Sequence, residues 1–129
     1  MMAVIFEVWP AGGRKDDYLT IAASLRADLM GIDGFISVER FQSLSEPEKL
    51  LSLSFWRDEE AIKNWRNHLR HREGQQKGRA GIFANYRLRI ATVARDYGMH
   101  ERAEAPEDSK RRPRSHKPFL SSSTLLNRK

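Results

Sequence analysis

Apolar and polar positions alternate with a period of two over Val4–Trp9, Phe35–Phe41 and Lys49–Trp56, which predicts three strands. The first sets Val4, Phe6 and Val8 against Ile5, Glu7 and Trp9. It is ended by Pro10, which has no N–H to donate to a ladder, and by Gly12-Gly13. Asp16 or Asp17 then opens a helix in which Tyr18, Ala22, Leu25 and Leu29 recur at spacings of four, three and four, with Gly31 as its stop. Gly34 leads into the second strand, and Ser43–Glu48, with Pro47, makes the turn into the third. Within that strand Leu51, Leu53 and Phe55 fall on one side, and Ser52, Ser54 and Trp56 on the other.

At Asp58 the period changes. An Asp that can cap free N–H groups is followed by Glu59 and Glu60, which suit the positive end of a helix dipole. Ile62, Trp65 and Leu69 then mark a buried helical stripe, with His68 and His71 one and about two turns past Trp65. Gly74 and Gly78 weaken the helix between His71 and Arg79, so the segment around Gln75-Gln76-Lys77 is expected to bend or restart. The fourth strand is expected over Tyr86–Tyr97, with Leu88 and Ile90 on one face and Arg87, Arg89, Ala91 and Val93 on the other.

The order strand, helix, strand, strand, helix, strand predicts an α+β, ferredoxin-like βαββαβ domain, a four-stranded antiparallel sheet with both helices on one face. Strands one to three carry apolar residues on both sides, and two helices cover only one side. An exposed apolar sheet of that extent marks an interface, so a homodimer with sheets packed face to face is expected.

Composition narrows the classes. The 129 residues suit one domain, and the absence of cysteine removes disulfides, thiol nucleophiles, thiolate zinc sites and iron–sulfur clusters. The N-terminal MMAVIFEVWPAGG alternates and carries Glu7, unlike a signal peptide, and no stretch approaches the roughly 20 apolar residues of a membrane helix. A soluble, cytoplasmic protein with no membrane partner is the expectation. The net charge of +6 is uneven: residues 98–129 hold eight Lys/Arg against four Asp/Glu, and residues 1–97 hold fifteen against thirteen. The folded domain is therefore assigned to residues 1–98, and residues 99–129 to a basic, disordered tail with Lys110-Arg111-Arg112-Pro113-Arg114 and Ser121-Ser122-Ser123 runs. A contact with nucleic acid through that run is set behind the plainer reading of a solvated appendage.

Several stretches together carry a resemblance: FEVWP at 6–10, GFISVERF at 34–41, LLSLSFWRDEEAIKNW at 50–65, His71, and YRLRIATVARDYG at 86–98. Over about residues 3–97 the chain resembles the antibiotic-biosynthesis-monooxygenase domain family, which implies a dimeric α+β barrel. The family includes cofactor-independent quinone-forming oxygenases, haem-degrading oxygenases, quinol oxygenases and members with no known substrate. Trp65 matches a position where members often carry Trp or His, and His71 one where they often carry His or Tyr. The substrate-activating Asn of the quinone-forming relatives lies one turn before the Trp, where this chain has Ala61. The iron-binding His of the haem-degrading relatives lies ten residues after the Trp, where this chain has Gln75, so haem degradation is a lesser alternative.

The resemblance implies a monooxygenase acting on an aromatic or quinol-like molecule with O2 and no bound cofactor. Such chemistry needs a base, a dry apolar pocket and positive charge near the developing anion. His71 or His68 is the candidate base, Trp65 the candidate wall and stacking surface, and Arg72 or Arg87 the candidate phenolate contact. Each has a plainer explanation: core packing for Trp65, a solvated helix edge for the histidines, and edge charges that discourage aggregation for Arg87 and Arg89. Two His three apart lack a third suitably spaced ligand, so no metal site is assigned. The main alternative is a non-catalytic dimeric small-molecule-binding or stress-associated protein on the same fold.

Overall fold

The computed structural model describes residues 1–75 and 81–110, with side chains in α3 described as far as Arg72. The chain divides into two units, Met1–Val93 and Ala94–Lys129. In the first, β1 (Met2–Pro10) is followed by α1 (Lys15–Ser24), α2 (Arg26–Met30), β2 (Phe35–Gln42), β3 (Leu50–Trp56), α3 (Glu59–Gln75) and β4 (Phe83–Thr92). The sheet order is β2-β3-β1-β4, with every neighbouring pair antiparallel. That is the expected ferredoxin-like arrangement. No helix among the described residues is long and apolar enough to cross a membrane.

Three boundaries differ from the sequence reading. The expected first helix is two segments that meet at Leu25, which closes α1 and opens α2. The helix α3 continues through Gly74 to Gln75, since one glycine costs a helix only about 1 kcal/mol. The reading of residues 76–80 lies outside the described residues. The strand β4 starts at Phe83 and stops at Thr92, because the partner strand β1 ends at Met2 and leaves no ladder for Ala94–Tyr97.

Register decides which sheet face meets the helices. Val8 pairs with Leu50 and Tyr86, Phe6 with Ser52 and Leu88, and Val4 with Ser54 and Ile90, so these residues share a face. Val8, Tyr18, Leu50 and Ile82 form one buried cluster on it, flanked by Phe6 and Ile21. A second cluster joins Leu29, Trp56, Ala61 and Ile62, with Met2, Val4, Phe35, Val38 and Trp65 packed around it. The helices therefore cover the Ser52-Ser54-Trp56 side of β3. Trp56, 2% exposed, shares that side with the buried Ser54, to whose Oγ its Nε1–H donates at 2.8 Å. Truncating it to Ala would cost about 3–5 kcal/mol. The opposite face carries Ile5, Leu51, Leu53 and Phe55, all half-buried, and Ala91.

Two local features seat α3. Asp58 Oδ1 accepts from the Ala61 N–H at 3.0 Å, the expected cap. The Ala61 amide, then Arg57, holds the Asp58 carboxyl below its ordinary value. Before β2, Gly34 has φ +93°, and a Cβ there would stand 2.7 Å from Ala61 Cβ. Only glycine lets this loop lie so close to the first turn of α3, and its carbonyl accepts from Arg57 N–H at 2.7 Å.

In the second unit the described chain, Ala94–Lys110, holds local hydrogen bonds on both sides of Gly98. Gly98 N–H donates to the Glu101 carbonyl, Arg102 donates to the Gly98 and Ser109 carbonyls and lies over the Tyr97 ring, and a short helix α4 (Glu107–Lys110) follows. The Arg111-Arg112-Pro113-Arg114 part of the basic run lies outside the described residues.

Candidate active site

Helix α3 presents its residues at about 100° intervals, and its buried stripe runs through Ala61, Ile62, Trp65 and Leu69. Trp65, half-buried, packs on the Leu29-Trp56-Ile62 cluster. His68 lies one turn further on, and its ring stacks on the Trp65 indole with centroids 5.6 Å apart and planes at 17°. Arg72 lies one turn beyond His68 on the same flank, about 20° round the helix from Trp65.

Both polar side chains converge on one carboxylate. Asp28, in α2, has Oδ2 at 2.9 Å from His68 Nε2 and 2.5 Å from Arg72 Nη1. Its side chain keeps only 23% of its surface exposed. The His68 hydrogen bond foremost, then the charge of Arg72, holds the Asp28 carboxyl below its ordinary 3.8, against the upward push of its own desolvation. An ionised carboxylate only accepts, so the Nε2 hydrogen of His68 is assigned to this bond. Arg72 Nε is buried with no hydrogen-bond partner among the described residues.

The site residues expected from sequence thus separate into two sets. Trp65, His68 and Arg72 come together. His71 lies about 120° round α3 from Trp65 and is exposed, because six residues on a 3.6-residue helix carry it off the buried stripe. Arg87 is exposed on β4 and is paired in register with Glu7, on the sheet face turned away from the helices and hence from Trp65. The Glu7 carboxylate is taken by Arg89 at 3.1 Å and Lys49 at 3.2 Å, which lower its pKa. Asp28 was missed by the sequence reading. Its local signal is weak, an acid inside a short helix beside a buried Leu29, and its two partners lie 40 and 44 residues away.

On the other flank of α3, Glu59, Glu60, Ile62, Lys63 and Arg66 line, with Ile90 of β4, an open groove of about 250 Å³. The apolar side of β4 that faces the helix layer stays uncovered beside it: Phe83, Tyr86, Leu88 and Ile90 are 41–56% exposed. Phe83 and Tyr86 also form a ring cluster with Phe6 and Tyr18, with centroids 5.5–5.9 Å apart.

The family model described as antibiotic biosynthesis monooxygenase matches residues 1–77. The chain is 48% identical over 101 residues to a protein of Pyricularia oryzae named jasmonate monooxygenase ABM, an alignment covering 78% of this chain and 47% of the relative. It is 33% identical over 72 residues to the uncharacterized protein YqjZ of Bacillus subtilis, covering 56% and 59%. The chain thus spans about half the length of the curated relatives it matches. Among solved structures it is similar to the haem-degrader MhuD of Mycobacterium tuberculosis, at a TM-score of 0.64 and 15% identity over 76% of this chain and 100% of that one. It is also similar to a mutant of SnoaB, a cofactor-independent oxygenase from Streptomyces nogalater, at 0.59 and 11% over 74% and 94%. At these identities the shared property is the fold.

Proposed function

Because the chain belongs to the antibiotic biosynthesis monooxygenase family, we propose that it is a cofactor-independent monooxygenase acting on an aromatic or quinol-like small molecule with O2. The observation that carries this reading is the Trp65–His68–Asp28–Arg72 arrangement, a flat ring stacked on an imidazole that a carboxylate orients, beside a half-buried cation. For a phenolic substrate, His68 Nδ1 takes the hydroxyl proton, and the electron-rich phenolate passes electrons to O2. One oxygen atom then becomes the new ring carbonyl and the other leaves as water, so the substrate supplies all the electrons and a phenol plus O2 gives a quinone plus water. Asp28 stabilises the imidazolium that forms. The Arg72 guanidinium supplies positive charge near the anion, and Trp65 excludes water and stacks on the ring.

The name of the Pyricularia oryzae relative supports a second substrate reading, a jasmonate-like cyclic ketone bearing a carboxylate. Oxygen uptake with hydroquinones, naphthols and jasmonic acid tests both. Turnover of the phenols, lost in His68→Ala and Trp65→Ala, is the expected result. Tight binding without oxygen consumption by any of them would instead make the chain a non-catalytic binding protein.

The active form is a cytoplasmic homodimer on this reading. Ile5, Leu51, Leu53 and Phe55 on the sheet face away from the helices support a face-to-face pairing of two copies. An interface of about 1,600 Å² would stabilise that pairing at roughly 25 cal/mol per Å² of apolar surface, before association costs. A monomer at micromolar concentration in light scattering would remove this part of the proposal.

A further inference from the structure

The groove between α3 and β4 has a definite chemistry. Its floor is Ile62 and Ile90, continued along β4 by Leu88 and Tyr86, since alternate strand residues share a face. Its rim is ordered along the helix axis: Glu59 and Glu60 in the first turn, Lys63 one turn on, Arg66 next. Among the described residues neither Lys63 nor Arg66 enters an ion pair, whereas Arg57 and Arg72 are both engaged with Asp side chains. Leu88 and Ile90, 49% and 41% exposed on the helix side, belong to neither buried cluster, so the core does not account for them.

We infer that this groove binds a small amphipathic monocarboxylate, its apolar body along Ile90, Leu88 and Tyr86 and its carboxylate at Lys63 and Arg66. A groove of about 250 Å³ holds a ring system or short chain of roughly a dozen non-hydrogen atoms at protein-like packing. Arg66 offers a planar fork that matches a carboxylate, and Lys63 adds a point charge. The acids set the direction: Glu59 and Glu60 repel an anion from the first turn, so the carboxylate takes the Arg66 end and the apolar body extends along the strand. As a statement about substrate, this rests on the proposed oxygenase site of α3, because Trp65 lies on the same helix between this groove and His68. As a statement about binding, it does not.

Naphthalene-acetic acid and the neutral naphthalene-acetamide, nearly equal in shape, separate charge from apolar contact by titration against the full chain. The acid is expected to bind about tenfold more tightly than the amide at low salt, with the preference shrinking as salt is added. Arg66→Gln and Lys63→Gln should each weaken the acid roughly fivefold and leave the amide unchanged. Ile90→Ser should weaken both, and Arg70→Gln, outside the groove lining, neither. Thermal melts confirm that each variant is folded. Equal affinity for acid and amide, or Arg66→Gln and Lys63→Gln proteins that hold the acid like the unmodified chain, would overturn the inference even if naphthols are turned over. Acid binding that responds to Lys63 and Arg66 in a protein that consumes no oxygen would uphold the inference and count against the oxygenase reading alone.

Discussion

Along α3, His68 and Arg72 turn towards α2 and close on Asp28, whereas Lys63 and Arg66 border the open groove beside β4. The two flanks belong to one amphipathic helix and differ in what the tertiary fold sets opposite them. On the α2 flank an acid from another helix meets the basic groups, and the resulting network can orient a proton-transferring imidazole. On the β4 flank an uncovered apolar strand lies opposite, and among the described residues Lys63 and Arg66 enter no ion pair. One helix thereby carries a closed ionic cluster with Asp28 on one side of Trp65 and a groove bordered by Lys63 and Arg66 on the other.

The largest expected effect removes the closed flank's chemistry. His68→Ala should lower oxygen uptake with the best phenol by about 100-fold or more, as loss of a general base does. That loss should exceed the one caused by His71→Ala. Asp28→Asn should cost about tenfold and displace the pH–rate profile, because the imidazolium loses its partner. Uptake unaffected by His68→Ala would show the stacked pair to be packing only.

Next comes a change that moves both flanks together. Gly34→Ala places a Cβ 2.7 Å from Ala61 Cβ at φ +93°, and the combined strain and clash should cost about 2–3 kcal/mol, read as a fall in thermal midpoint. A variant as stable as the parent would mean that α3 is not seated on this loop.

A third change lies on neither flank. Val93 N–H donates to the Met1 carbonyl at 3.0 Å, and its side chain follows Ala91 on the sheet face away from the helices. Val93→Asp should raise the dimer dissociation constant roughly tenfold and lower thermal stability with it. A Val93→Asp protein that stays a fully stable dimer in light scattering would misplace the interface.

The smallest effect concerns acid. The Asp28 carboxyl titrates below its ordinary 3.8 in the folded chain, chiefly through the His68 hydrogen bond. The unfolded chain therefore takes up that proton first, and the stabilisation is whole above about pH 4 and lost as pH falls through the depressed folded value. Asp28→Asn should flatten the fall in stability below pH 4. Lys63→Gln and Arg66→Gln should leave it unchanged, and should shift stability at neutral pH by less than about 0.5 kcal/mol. Equilibrium urea unfolding across pH 2–7 reads both.

The order and type of the elements follow from local physics, which is why the sequence by itself determined them. Alternation marked β1, β2 and β3, Asp58 and the two glutamates marked the start of α3, and the Ile62-Trp65-Leu69 spacing marked its buried stripe. Helical period alone would also have moved His71 off that stripe, since six residues never return to the same side of a helix. Tertiary structure decided the rest. Alternation gives β3 two faces without saying which meets the helices, and only the register with β1 puts Trp56 and the serines inside and Leu51, Leu53 and Phe55 outside. Asp28 reaches His68 and Arg72 across 40 and 44 residues, a pairing that no local pattern encodes because it exists only once α2 and α3 share a sheet face. The groove has the same origin: the apolar row of β4 is visible in the sequence, and its exposure beside Lys63 and Arg66 depends on where α3 lies across the sheet.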